Sequence, residues 1–133
     1  MRLVYKKDDI KTYIKKIGEE DAAAFDSGLV HPVYATFALA RDAEWTGRLF
    51  VLDMKEDDEE GIGFFITVIH HSPALIGEEV SFESQVIKID GDEIICTYEA
   101  KIGERLIASG VQGQKILKKT KIEKIFSDLK ENL

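Results

Sequence analysis

Between Thr36 and about Leu52 the chain carries only four charges, on Arg41, Asp42, Glu44 and Arg48. Ala38, Ala40, Ala43 and Gly47 are small there, while Leu39, Trp45, Leu49, Phe50 and Val51 are large and apolar. This pattern predicts a helix packed on most sides, with small residues that let another element approach closely. Thr36 has the chemistry of an N-cap, and no proline interrupts the residues after it. From Gly61 onward the period changes to two. Phe64, Ile66, Val68 and His70 fall on one face of a strand, and Phe65, Thr67, Ile69 and His71 on the other. After a break at Ser72–Gly77, Val80, Phe82, Ser84 and Val86 alternate with Ser81, Glu83 and Gln85. Ile87 and Ile89 change the phase, as a bulge would. Asp90-Gly91 is a hairpin signal, and Ile94, Cys96, Tyr98 and Ala100 continue the alternation beyond it. Gly103-Glu104 marks a second turn. Arg105 to Ile116 forms a last long strand, whose Gly110 and Gly113 signal bulges or a close approach.

The N-terminal third is less regular. Ile10, Ile14 and Ile17 fit a helix, and Tyr13 to Ile17 fit an edge strand equally well. Glu20 to Phe25 is expected to form a short helix before an Asp26-Ser27-Gly28 turn. At the other end, Ile122, Ile125, Phe126 and Leu129 recur at the spacing of an amphipathic helix. The expected class is therefore α+β: an antiparallel sheet wrapped around a long helix buried on its concave side.

Composition narrows the setting. The 133 residues suit a single domain, with a core over about 11–117 and a lysine-rich helix over about 118–131. Apolar residues make up 44% and charged residues 32%, enough for a core without cross-links. Cys96 is the only cysteine, so neither an intrachain disulfide nor a cysteine zinc site is available. The apolar-leaning stretch from Gly61 to Ile69 is far too short to span a bilayer, and the N-terminal residues carry no signal-like run. A cytoplasmic protein without membrane association is expected. The net charge of −7 argues against nonspecific nucleic-acid binding. The acidic run Asp53–Glu60 reads as a solvated loop. It lacks the glycine and oxygen-ligand pattern of a hard-cation loop. No metal site is expected from three histidines without carboxylates at matching spacing, and His31, beside Pro32, reads as a loop residue.

Four segments carry a family resemblance. They are Glu20-Asp21-Ala22-Ala23 with Asp26-Ser27-Gly28; Val33-Tyr34-Ala35-Thr36 with Glu44 eight residues on; Ile62-Gly63; and the run from His70 to Gly77. In order and spacing, over about residues 20–117, they resemble the fluoroacetyl-CoA-specific thioesterase-like branch of the hotdog thioesterases. The resemblance implies a hotdog fold, a homodimer, and a catalytic set of Thr36, Glu44 and His70. His70 rather than His71 is the match because Gly77 follows it by seven residues. It also implies an acyl pocket at Ile62 and Gly63. Phe37 stands where the family usually has proline, Gly61 where serine is common, and Leu75 where another proline is common. These departures lie near the acyl pocket and bear on substrate identity more than on reaction type.

The chemistry asked of these residues is specific. A thioester carbonyl needs a nucleophile, a base and donors for the developing oxyanion. His70 has the chemistry of the base, Glu44 that of a group orienting the imidazole or activating water, and Thr36 that of a nucleophile or water holder. No cofactor is called for, since coenzyme A enters as part of the substrate. Phe37 and His71 join Ile62 and Gly63 as candidate substrate contacts, and Lys115 and Lys118 as cations for its phosphates. Ordinary uses compete: Thr36 as a cap, Glu44 as ion-pair partner of Arg41 or Arg48, His70 as a structural histidine, and His71 as loop support. There is also a geometric difficulty. Eight helical residues separate Thr36 from Glu44 by about 12 Å along the axis, so His70 or a second subunit must connect them. A non-catalytic acyl-CoA-binding domain is the alternative function.

Overall fold

A computed structural model describes residues 1–133. The N-terminal segment resolves as a strand, β1 (Ile10–Lys16), in antiparallel register with β6 (Glu79–Asp90) from Ile10 opposite Gln85 to Lys16 opposite Glu79. Its alternation is that of an edge strand, with Ile10 and Ile14 exposed and Tyr13 turned inward. Glu20–Phe25 is not a helix. A single 3-10 turn (Glu19–Asp21) leads into β2 (Ala22–Phe25), which pairs with β3 (Gly28–Tyr34). Gly28 takes φ = 105°, closing the turn at Asp26-Ser27 so that the alanines gain strand partners. The tertiary pairing overrides their helical preference. His31 and Pro32 accordingly lie within a strand rather than a loop.

Helix α1 spans Thr36–Met54, and Ala35 rather than Thr36 is its N-cap. The buried face carries Ala38, Leu39, Ala43, Phe50, Val51 and Met54. It packs on Val80, Phe82 and Val86 of β6 and on residues Ile94, Cys96, Tyr98 and Ala100 of β7 (Glu93–Ile102). Small residues do admit a neighbour. A methyl added at Gly47 would lie 1.5 Å from the Gln112 side-chain nitrogen on β8 (Arg105–Lys118). The helix is not covered all round, however. Phe37 is 50%, Trp45 39% and Leu52 42% exposed in the single chain.

The main sheet runs β1-β6-β7-β8-β4, with the short β5 (Ile69–His70) also on β8. Strand β4 covers Glu59–Ile66, and its register on β8 shifts between Gly63 and Phe65. The bulge falls at Phe64. Beyond it Ile66 and Val68 pack on the core while Phe65, Thr67 and Ile69 are exposed, as the alternation predicts, although Thr67 and Val68 lie between β4 and β5. The expected bulge in β6 lies between Val86 and Lys88. Gly110 sits in close approach: an added methyl would meet the Thr67 carbonyl oxygen at 2.1 Å. The acidic run is only partly solvated, since Glu59 is buried and accepts the Glu56 N–H at 2.9 Å. Helix α2 (Lys119–Lys130) follows β8 directly, with no fully buried residue. No helix is long and apolar enough to cross a membrane.

Candidate active site

The β3–α1 junction and β5 bring Thr36 and His70 together from 34 residues apart. The Thr36 hydroxyl and His70 Nε2 are 2.8 Å apart. The capping use of Thr36 is not taken up. Thr36 is the first helical residue, and no side chain caps α1. Its hydroxyl is therefore free for the imidazole. The N–H groups of the first turn have no intrahelical acceptors, since the ladder begins with Leu39 N–H on the Ala35 carbonyl at 2.9 Å.

His70 is held by its backbone rather than by burial. It lies opposite Ala108 of β8, and the next residue's N–H donates to the Ile107 carbonyl at 2.8 Å. His71 lines one cavity with Thr36 and His70, and its Nε2 lies 2.8 Å from the Ser109 hydroxyl. Its hydrogen-bond partner therefore lies on β8.

Glu44 stands apart from the pair, two helical turns further along α1. Its carboxylate has no hydrogen-bond or ion-pair partner within the chain, because both neighbouring arginines are engaged elsewhere. Arg41 binds Asp21 at 2.7 Å and Asp42 at 3.1 Å, while Arg48 binds Glu60 at 2.5 Å. The Glu44 carboxylate lies over Gly63, where an added methyl would be 2.1 Å from its Oε1. Ile62 is 37% exposed on the same strand. Thus Glu44 and Gly63 adjoin one another, and Thr36 and His70 form a separate pair.

A cavity of about 450 Å³ opens beside Thr36 and His70, lined also by Ala23, Phe25, His31 and Val33. Phe25 packs edge-to-face on Phe37, with ring centroids 6.2 Å apart. The helix expected over Glu20–Phe25 and the loop expected at His31 do not place Phe25 and His31 here; the β2–β3 hairpin does. The β-branched and aromatic residues after Gly28 were the available signal for a hairpin. The candidate phosphate cations lie elsewhere and are paired. Lys118 meets Asp58 at 2.8 Å, and Lys115 lies 3.6 Å from Glu93 and 5.3 Å from the Phe64 ring centre.

A curled antiparallel sheet around a buried helix is the hotdog architecture, and this chain has the fold of the thioesterase superfamily. The sequence model of the fluoroacetyl-CoA-specific thioesterase family, FlK, matches residues 17–120, and the chain belongs to that family. A Thermus thermophilus protein described as a thioesterase superfamily member is 33% identical, with a TM-score of 0.93 over 99% of this chain and 97% of that one. The fluoroacetyl-CoA thioesterase FlK itself is similar in fold, at 17% identity and a TM-score of 0.85 over 97% and 98% of the two chains. A hot-dog-like protein from Thermanaerovibrio acidaminovorans also has a TM-score of 0.85, at 16% identity over 93% and 92%. A search among curated proteins found no match.

Proposed function

We propose that the protein is a cytoplasmic acyl-CoA thioesterase that hydrolyses a small or medium acyl thioester to the free acid and coenzyme A. The observation that carries this reading is the Thr36–His70 contact at the uncapped start of α1, in a chain of this family. A related FlK variant has been crystallised with fluoroacetate and CoA, which supports the same ligand class here.

In this reading His70 Nε2 accepts the proton of the Thr36 hydroxyl, or of a water that it holds. The activated oxygen bonds to the thioester carbonyl carbon, and first-turn N–H groups of α1 receive the oxyanion. The carbonyl re-forms as the C–S bond breaks, and coenzyme A departs as a thiolate that needs little help from an acid. If Thr36 is acylated first, the His70 imidazolium passes its proton to the released thiolate, takes one from water as the water oxygen bonds to the acyl carbon, and returns it to the Thr36 oxygen as the ester C–O bond breaks. Phe37, Ile62, Gly63 and His71 are assigned as substrate contacts, and Lys115 and Lys118 as phosphate cations that must exchange their present carboxylate partners.

A homodimer is part of this reading. Strand β4 has an unpaired edge carrying Phe64 and Phe65, 44% and 38% exposed, and α1 presents Trp45 and Leu52. A second copy also offers a Glu44 to a Thr36–His70 pair that its own chain leaves unserved. Thiol release from a panel of acyl-CoAs tests the activity; none on any substrate, or undiminished release by His70→Ala, overturns it. Acyl-CoA binding without turnover would instead identify a binding domain. Mixing Glu44→Ala and His70→Ala proteins tests the shared site. Random exchange restores about a quarter of wild-type activity if Glu44 acts across the dimer, and none if it acts within its own chain.

A further inference from the structure

We propose that Tyr34 and Asp42 are positioning residues that hold Thr36 against His70, an inference that rests on the thioesterase reading. Thr36 and His70 are both exposed, so their own packing does not set their separation. Beneath them lies a buried polar network with no part in the bond-making and bond-breaking steps. Asp21 is 0%, Tyr34 4% and Asp42 5% exposed. The Tyr34 hydroxyl donates to Asp42 Oδ2. Arg41 donates from Nε to Asp42 Oδ1 at 3.1 Å and from Nη2 to Asp42 Oδ2 at 3.1 Å, and it reaches Asp21 at 2.7 Å. Lys15 adds a second cation, 3.4 Å from Asp21. Two carboxylates thus face two cations, which is the condition for keeping such groups inside.

The network and the backbone bonds beside it tie the β3–α1 junction to the Gly18–Asp21 turn and to the loop that follows His70. The Asp21 carbonyl accepts the Ala35 N–H at 2.8 Å, immediately before Thr36. The Asp21 carboxylate accepts the Gly18 N–H at 2.9 Å, fixing the turn that presents this carbonyl. Tyr34 donates its N–H to the Ala74 carbonyl at 2.9 Å, on the loop that follows His70. Its phenol simultaneously anchors that point to Asp42, on the second turn of α1. With no side-chain cap on α1, these bonds register the helix start against the histidine loop. The consequence is catalytic because a displacement of about 1 Å in a reacting group costs up to about 100-fold in rate.

Tyr34→Phe deletes one hydroxyl and is the test. The matched control is Tyr5→Phe, which deletes the equivalent phenol–carboxylate bond to Asp53, away from this pair. Assayed well below each variant's melting temperature, Tyr34→Phe is expected to lower kcat by about tenfold or more with KM little changed. Tyr5→Phe should leave both constants near wild type. NMR of the His70 ring gives a readout that stability alone does not move. Its signals should shift in Tyr34→Phe in the same sense as in Thr36→Val, and stay in place in Tyr5→Phe. Should Tyr34→Phe fail to fold, Asp42→Asn keeps an acceptor for the phenol but weakens the Arg41 clamp, and the same shifts are expected. A folded variant with unmoved His70 signals and wild-type kcat overturns the proposal. If the wild type releases no thiol at all, the thioesterase reading fails, while the ring signals still decide the positioning role.

Discussion

Replacing Gly63 by alanine isolates the placement of Glu44 from its chemistry. The backbone of Gly63 does not have positive φ, so alanine is accommodated in β4 without strain there. The new methyl would lie 2.1 Å from Glu44 Oε1, whereas ordinary contact begins at 3.4 Å, so the oxygen must retreat by about 1.3 Å. Glu44 is exposed and unpaired, so this movement costs little stability. Alanine in a strand gains about 0.5–1 kcal/mol over glycine, and the melting temperature should stay within about 4 °C of wild type. If Glu44 acts in the proposed thioesterase site, a shift of that size in its carboxylate should lower kcat by about 10- to 100-fold, equivalent to about 1.4–2.7 kcal/mol of transition-state stabilisation. The assay is steady-state thiol release on the best acyl-CoA, with thermal melts in parallel. A double-mutant cycle separates the routes by which the methyl can act. On a Glu44→Ala background, Gly63→Ala should have no further effect on kcat. Full kcat in Gly63→Ala beside a crippled Glu44→Gln would refute the need for the present Glu44 position. A loss undiminished on the Glu44→Ala background would show that the methyl acts on the acyl group instead.

Three other outcomes are expected. Gly110→Ala drives a methyl to 2.1 Å from the Thr67 carbonyl oxygen and 2.8 Å from the Tyr98 hydroxyl, and should cost about 1–3 kcal/mol in urea denaturation. Burial works to raise the Asp21 carboxyl, but hydrogen bonds from Arg41 and Gly18, with the charges of Lys15 and Arg41, outweigh it and hold it below the usual carboxylate value. Its stabilisation is therefore fully present above the unfolded value of about 3.9 and is lost as pH falls through the lower folded value. Asp21→Asn should destabilise the protein near neutral pH, with the gap from wild type narrowing below about pH 4 in urea melts at stepped pH. Burial pushes the Cys96 thiol up to about 11, against a weaker opposing hydrogen bond with Ser84. An aromatic disulfide reagent at pH about 8 should detect no thiol in the native protein and one per chain after denaturation. Rapid native labelling would contradict that burial.

The central helix and the β6–β7–β8 meander were legible in the sequence because their apolar positions follow one period over many residues. The misreadings fell where local preference and long-range pairing disagree. Ala22–Phe25 favours a helix in isolation, yet becomes a strand because β3 satisfies its backbone groups. The single strand expected from Phe64 to His70 is instead bulged at Phe64 and interrupted at Thr67–Val68, a break in the pairing with β8 that the alternation itself does not reveal.

For the site, it was the family resemblance that made Thr36, Glu44 and His70 the candidates. Only the tertiary structure shows which partners their side chains meet. Thr36 became available to His70 because Ala35 took the cap position and β5 was seated on β8. Glu44 was left unpaired because Arg41 and Arg48 found carboxylates at Asp21 and Glu60, which no helical spacing reveals. The physical reason is common to both. A side chain's partner is chosen by competition among all groups that folding brings near, and spacing along one element counts only the local competitors.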